Sequence, residues 1–268
     1  MNHGRKRWLL LESLPKAYAE FMNDPRAAWS SQGTNGKAVL FVHGFTGSPA
    51  SLTSWAQHFA AAGYSVEVPL LPGHGTSPAE MNKTRWQQWY LETERAYESL
   101  AAKHEGVAVC ALSMGGALAL RLGALKKVKQ PRSLVLVNPL IHIRGVNRFL
   151  IPVVSKVLAT QPAVGGDIKK PGENEYAYDK TPLKAAHSLL HLLSDVQGRI
   201  ATVKEPLMLI HSKEDHVVPS SNAEWILSNV GSSVKEEVLL FDSYHVATVD
   251  NDAPVIFEKS KIFIEQNW

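Results

Sequence analysis

Short apolar runs recur along the chain, each followed by a glycine-rich turn or a longer amphipathic stretch. They are Ala38-Val39-Leu40-Phe41-Val42, Tyr64 to Val68, Gly106 to Ala111, Arg132 to Val137, Pro206 to His211 and Val234 to Phe241. Runs this short and this continuously apolar predict strands covered on both faces. Between them the spacing predicts helices over 48–62, 84–103, 183–197, 220–229 and 254–266, with another opening at Ala117. The first has Ser48 placed as N-cap, Pro49 in the opening turn and Gly63 past the end. Strands alternating with helices of roughly 12 to 20 residues predict an α/β fold, a mostly parallel sheet with helices on both faces.

That alternation breaks once. From Pro139 to Thr181 the chain carries Pro152, Pro162, Gly165-Gly166 and Pro171-Gly172 around an apolar patch from Phe149 to Leu158. Residues 139–181 are therefore expected to be an insertion over the carboxyl edge of the sheet, where open α/β folds bind ligands. Residues 1–138 and 182–268 would form the core around it. The first 36 residues, with Pro15, Pro25, Gly33 and Gly36, read as a lead-in with a small strand pair.

Composition narrows the function classes. The chain has 268 residues, enough for one large domain with an insertion, and a formal net charge of +3. No basic cluster exceeds Arg5-Lys6-Arg7 or Lys126-Lys127, so no nucleic-acid partner is implied. The basic triplet followed by Trp8-Leu9-Leu10-Leu11 hints at a signal peptide, but the apolar run stops at Glu12. No stretch approaches the roughly 20 apolar residues of a membrane span, and the expectation is a soluble cytoplasmic protein. Cys110, the single cysteine, lies in a predicted buried strand and reads as an inert core thiol. The sequence asks for no cofactor or metal. His187 and His191 have metal-ligand spacing on a predicted helix, but no third ligand is in sight.

The reactive residue types fall where strands end. His43-Gly44-Phe45, Ser113, Asp215 and His245 each follow a predicted strand, and in a parallel sheet those ends share one rim. Ser113 lies in Ala111-Leu112-Ser113-Met114-Gly115, a strand-to-helix corner that holds a hydroxyl on an exposed tip. The corner needs small residues two before and two after the nucleophile; Ala111 stands where glycine is usual. A serine nucleophile needs an imidazole base and a carboxylate to orient it, and the order Ser113, Asp215, His245 is the α/β-hydrolase order. Glu214 and Asp242 are rival acids. The oxyanion hole would take the backbone N–H of Met114 and, most simply, that of Phe45. His43 reads as a loop brace rather than a base, His74 as a pocket or brace residue, and His216 as exposed.

Five ordered motifs carry a resemblance. His43-Gly-Phe-Thr-Gly47, Leu71-Pro-Gly-His-Gly-Thr-Ser77, Leu112-Ser-Met-Gly-Gly116, Glu214-Asp-His-Val-Val-Pro219 and Asp242-Ser-Tyr-His-Val-Ala-Thr-Val-Asp-Asn-Asp252 resemble the bacterial monoacylglycerol lipases and related small carboxylesterases of the α/β-hydrolase superfamily. The likeness runs from about Lys37 to the C-terminus. It implies Ser113, Asp215 and His245 as catalytic residues, the Phe45 and Met114 amides as oxyanion hole, and 139–181 as a small cap. Glu175 falls where that family places a carboxylate for the glycerol hydroxyls. The expected partner is a small ester or lipid, with transient contact to lipid aggregates through the cap. The alternatives are a carboxylesterase indifferent to glycerol, a thioesterase, and a non-catalytic small-molecule receptor on the same fold. Dehalogenases and epoxide hydrolases place Asp where Ser113 stands.

Overall fold

The structure, a computed structural model, describes residues 24–125, 129–143, 145, 147–163 and 165–268. The Arg5-Lys6-Arg7 and Lys126-Lys127 clusters lie outside them, as does most of the expected lead-in. The first half holds β1 (Trp29–Ser31), β2 (Ala38–Val42), α1 (Thr53–Ala61), β3 (Ser65–Val68), α2 (Pro78–Met81), α3 (Trp86–Ala101), β4 (Val107–Leu112), α4 (Met114–Ala124) and β5 (Leu134–Val137). The second holds α5 (Asn147–Val154), β6 (Thr160–Pro162), β7 (Lys180–Pro182), α6 (Leu183–Gln197), β8 (Leu207–Ser212), α7 (Ser221–Asn229), β9 (Lys235–Leu240) and α8 (Ala253–Gln266).

Seven strands form one sheet in the order β1-β3-β2-β4-β5-β8-β9, parallel throughout except for β1, which runs antiparallel to β3. The strand pair expected in the lead-in is thus a single described strand added to the main sheet. Every residue of β2, β4 and β5 is buried, which is why those runs show no polar alternation. Side chains nonetheless alternate between two cores. Leu40, Val42, Val109, Ala111, Leu134, Leu136 and Leu209 face α3, α4, α6 and α7. Val39, Phe41, Ala108, Cys110, Val135, Val137 and Ile210 face α1 and α8. On that second side Phe41 meets Trp55 edge-on at 5.3 Å and Phe59 at 5.7 Å. Each such large buried side chain contributes about 1.5–3 kcal/mol. Cys110 is fully buried there, and burial pushes its thiol well above the usual range. At the far edge β9 turns Lys235, Glu236 and Glu237 to solvent, a charged border that discourages a further strand.

Helix α3 buries Trp89, Thr93, Ala96, Tyr97 and Leu100, a stripe at helical spacing. Arg121 of α4 lies over the Trp86 and Tyr90 rings at 4.8 and 3.8 Å and donates to Asp195 of α6 at 3.0 Å, so three helices on this face are tied together. The helix expected over 48–62 divides into a 3-10 turn at Pro49–Ser51 and α1. Ser48 does not cap it. Its hydroxyl donates instead to the carbonyl of Glu175 at 3.2 Å, a contact across the fold that outcompetes the local one.

Registers Leu112↔Val137 and Val137↔Ile210 bring the carboxyl ends of β4, β5 and β8 level, with Ser212 opposite Leu240 of β9. Residues just beyond these ends therefore meet on one rim. Between β5 and α6 the chain leaves the sheet, forms α5 and the β6–β7 hairpin, and returns by Tyr178, whose N–H donates to Thr46 O at 3.3 Å. Phe149, Val153 and Val157 of this excursion are exposed, while Ile151 is buried. No helix among the described residues is long and apolar enough to cross a membrane.

Candidate active site

Ser113 occupies the turn from β4 into α4 with φ 55° and ψ −119°. A non-glycine residue held there costs of order 1–3 kcal/mol. The surroundings offset that. Ser113 N–H donates to Val137 O at 3.0 Å, and its carbonyl accepts from Gly116 N–H at 2.9 Å and Leu140 N–H at 3.1 Å. Gly115 is obligatory, since a Cβ there would lie 2.0 Å from Val42 O. The same crowding brings the loop after β2 against the serine: a Cβ on Gly44 would be 3.2 Å from Ser113 Cβ.

His245, on the loop after β9, stands in hydrogen-bond contact with Ser113 Oγ through Nε2 at 3.0 Å. Its Nδ1 meets Asp215 Oδ2 at 2.8 Å, and this bond to a carboxylate fixes Nδ1 as the protonated nitrogen. The other oxygen, Asp215 Oδ1, accepts from the N–H groups of Val217 and Val218 at 2.8 and 2.7 Å, so the carboxylate cannot rotate freely. Burial pulls the His245 pKa down, but the hydrogen bond and charge of Asp215, aided by Glu175 and Asp167, outweigh it and raise the value above 6.5. A hydroxyl, an imidazole and a carboxylate in this relation can deprotonate the hydroxyl as it attacks an acyl carbon. Beside the hydroxyl, the N–H groups of Met114 at the start of α4 and Phe45 after β2 donate to no acceptor among the described residues.

The rival acids are elsewhere. Asp242 pairs with Lys169 at 3.0 Å, and Glu214 approaches the same ammonium at 3.6 Å. His43 is fully buried; it accepts the Leu71 N–H at 3.2 Å through Nε2 and is held down to a pKa of about 4 by burial. It braces the loop rather than acting as a base. His74 is buried against His43, Phe45 and Trp89, with Nδ1 at 3.2 Å from Pro72 O. His216 is exposed, as expected, but it is not idle: Nδ1 pairs with Asp167 at 2.8 Å. His187 and His191 pack ring to ring at 5.0 Å in a cleft of about 1000 Å³ shared with Arg85, Lys156 and Lys184. That cleft holds no hydroxyl–imidazole–carboxylate relay, so its size does not make it the reactive site. Among the described residues no group of three or more His, Cys, Asp or Glu side chains is arranged to hold a metal.

Glu175 reaches the site from the excursion between β5 and α6. It is 9 % exposed, and burial raises its pKa above the usual carboxylate value. Oε1 accepts the Gly166 N–H at 2.9 Å; Oε2 lies beside Gly47, 3.4 Å from where a Cβ would stand.

Three supporting residues carry roles that the sequence did not assign, although Asp250 lies within the Asp242–Asp252 motif. Asn138, at φ 44° just past β5, accepts the Ser212 N–H at 2.7 Å and donates to His245 O at 2.7 Å, stitching β5, β8 and the histidine loop. Asp250, 2 % exposed, accepts from the N–H groups of Tyr244, Lys169 and Lys170. Asp167 accepts from the N–H groups of His245 and His216. For Asn138 the signal was an asparagine directly after an apolar strand, tolerant of positive φ.

A parallel sheet of this strand order, with a serine at the β4–α4 corner and a histidine after the last strand, defines an α/β-hydrolase of the serine hydrolase class. Residues 33–252 match the family "Serine aminopeptidase, S33", and the chain belongs to it. It is 35% identical over 229 residues to the thermostable monoacylglycerol lipase of Bacillus sp. strain H-257, covering 85% of this chain and 90% of the relative. Against the carboxylesterase of Bacillus subtilis strain 168 the identity is 27% over 234 residues, covering 87% and 94%. Among solved structures, one from work on the metagenome-derived lipolytic enzymes LipS and LipT superposes with a TM-score of 0.86 at 36% identity, covering 91% of this chain and 98% of the other.

Proposed function

We propose that the protein hydrolyses carboxylic esters, monoacylglycerols in preference, with Ser113 as nucleophile, His245 as base and Asp215 as its orienting acid. The observation that carries the reading is the unbroken relay from Ser113 Oγ through His245 to Asp215, at 3.0 and 2.8 Å. As Oγ attacks the ester carbon, its proton passes to His245 Nε2, and Asp215 stabilises the imidazolium. The carbonyl oxygen, now negative, takes the N–H groups of Phe45 and Met114. Collapse expels the alcohol, which receives the proton from His245. Water then repeats the sequence to free the acid and restore Ser113.

Residues 139–181 form the cap in this reading, inserted between the core segments 1–138 and 182–268. Glu175 is the cap's polar contact to substrate: its Oε2 accepts from the glycerol hydroxyls. The likeness to a monoacylglycerol lipase supports that choice. The exposed Phe149, Val153 and Val157 supply an apolar face through which the cap touches lipid aggregates, and the single, unpaired cysteine Cys110 fits work in a reducing compartment, the cytoplasm. The second reading, a carboxylesterase without glycerol preference, is favoured by the likeness to the Bacillus subtilis carboxylesterase.

A panel of mono-, di- and triacylglycerols against simple esters of the same acid separates the two readings. Ser113→Ala is expected to lower kcat by about 10⁶ and Asp215→Asn by about 10⁴. Turnover retained in purified Ser113→Ala would refute the assignment.

A further inference from the structure

The segment that brings Glu175 to the site also grips the loops of Asp215 and His245. Asp167 Oδ2 accepts the His245 N–H at 3.1 Å and the His216 N–H at 3.2 Å, while Oδ1 pairs with His216 Nδ1 at 2.8 Å. The Asp167 carbonyl takes the next N–H, that of Val246, at 3.1 Å. Two and three residues on, Lys169 and Lys170 donate their N–H groups to Asp250, which also holds Tyr244 N–H. Residue 167 is therefore joined by main chain and side chain to the peptide units around His245.

The Nδ1 bond to Asp215 sets how the imidazole is rotated, but it does not set where the His245 Cα stands. That is decided by the two peptide groups flanking it. The N–H side is held by Asp167 and the C=O side by Asn138 at 2.7 Å. Because the same carboxylate oxygen also takes the N–H of His216, the neighbour of Asp215, base and acid are referenced to one point. Asp167 is 15% exposed at the side chain, enough shelter for these bonds to persist.

We propose that Asp167 is a positioning residue for the proposed hydrolysis: a carboxylate from segment 139–181 that clamps the His245 main chain to the Asp215 loop and so keeps the imidazole aligned on Ser113 Oγ. This rests on the relay reading given above. Displacing a reacting group by about 1 Å costs about 10²-fold in rate. The charges facing the His245 ring are those of Asp215, Glu175 and Asp167, with His216 set against Asp167 from the far side. Lys169 on the same segment is engaged by Asp242 and Glu214. Removing the charge at 167 should therefore also ease deprotonation of the His245 imidazolium.

The test uses the full chain and a short-chain nitrophenyl ester. Asp167→Ala should lower kcat by about 10²-fold with KM nearly unchanged. Asp167→Asn can turn its oxygen to the two N–H groups and its amide to a neutral His216, so it should recover most of kcat. Its acid limb, though, should move down, since the Asp167 charge helps to raise the His245 pKa. The same displacement should be visible without substrate, in the NMR titration of the low-field His245–Asp215 proton, identified by its loss in His245→Ala. A folded Asp167→Ala with kcat within about 3-fold of wild type overturns the proposal. Should that variant not fold, Asp167→Ser, whose side chain is too short to hold both N–H groups, takes its place, and a kcat within about 3-fold of wild type there overturns the proposal equally. If wild type shows no acyl-enzyme burst and Ser113→Ala loses nothing, the relay reading itself fails and this proposal with it. A wild-type burst matched by Asp167→Ala rejects the positioning role alone.

Discussion

Glu175→Ala separates two jobs of one carboxylate. Oε1 holds the Gly166 N–H at 2.9 Å whatever the substrate, whereas Oε2, beside Gly47, has no donor among the described residues and is free for a ligand. Losing the first contact, also a bond to the charged carboxylate, removes about 1.5–3 kcal/mol of stability, shared by all substrates. Losing the second matters only when the leaving alcohol carries hydroxyls. A hydrogen bond to a charged acceptor contributes about 1.5–3 kcal/mol, so kcat/KM on a monoacylglycerol should fall by roughly 10- to 150-fold. A nitrophenyl ester of the same acid should lose less than about 3-fold. The assay compares glycerol release with nitrophenol release at matched chain length, below the concentration at which the lipid aggregates, with the melting temperature measured in parallel. Equal loss on the two substrates in a folded variant would refute the glycerol contact.

Gly115→Ala would put a Cβ 2.0 Å from Val42 O and 2.9 Å from His43 O, so the end of β2 must move. The expected result is a melting temperature at least about 5 °C lower, with poor activity, and a variant that melts and turns over like wild type would contradict the packing argument. The base form of His245 is the neutral one, and its pKa is raised above 6.5. Activity should therefore fall on the acid side with a limb above 6.5, and a limb below that value would be inconsistent with the Asp215 partnership. His43 runs the other way, lowered from 6.5 to about 4 by burial, so the unfolded chain takes up the proton first as pH drops. Its contribution is complete above about 6.5 and is lost progressively toward pH 4, about 3 kcal/mol in all. Denaturant midpoints measured across that range should fall more steeply in wild type than in His43→Gln, and equal slopes would dismiss the assignment.

The rim was legible because parallel strands impose it. Once Val107–Leu112 and Leu207–Ser212 are strands of one sheet, Ser113 and Asp215 must come out on the same side, and His245 after Leu240 joins them. The two acids weighed by position lie apart in the structure, Asp215 against His245 and Asp242 against Lys169. What sequence could not reveal is the set of contacts made to main chain far away. Asn138 binds the carbonyl of His245 and Asp167 binds its N–H, and neither role requires a motif, only that a short polar side chain arrive at that spot. Ser48 shows the converse. Its capping signature is sound locally, yet Glu175 O lies within reach and takes the hydroxyl. In the described part of the lead-in, Trp29–Ser31 likewise finds its partner in β3, beyond β2, rather than nearby.

Cys110 gives the molecule a practical property. Being the chain's single cysteine, wholly enclosed and with a thiol reluctant to ionise, it is closed to alkylating reagents while the fold is intact. An electrophile that attacks hydroxyls and thiols alike would therefore report on Ser113, the proposed nucleophile, without a competing native thiol. A cysteine introduced on the surface would be a unique attachment point for a dye or spin label, with no native thiol to remove first.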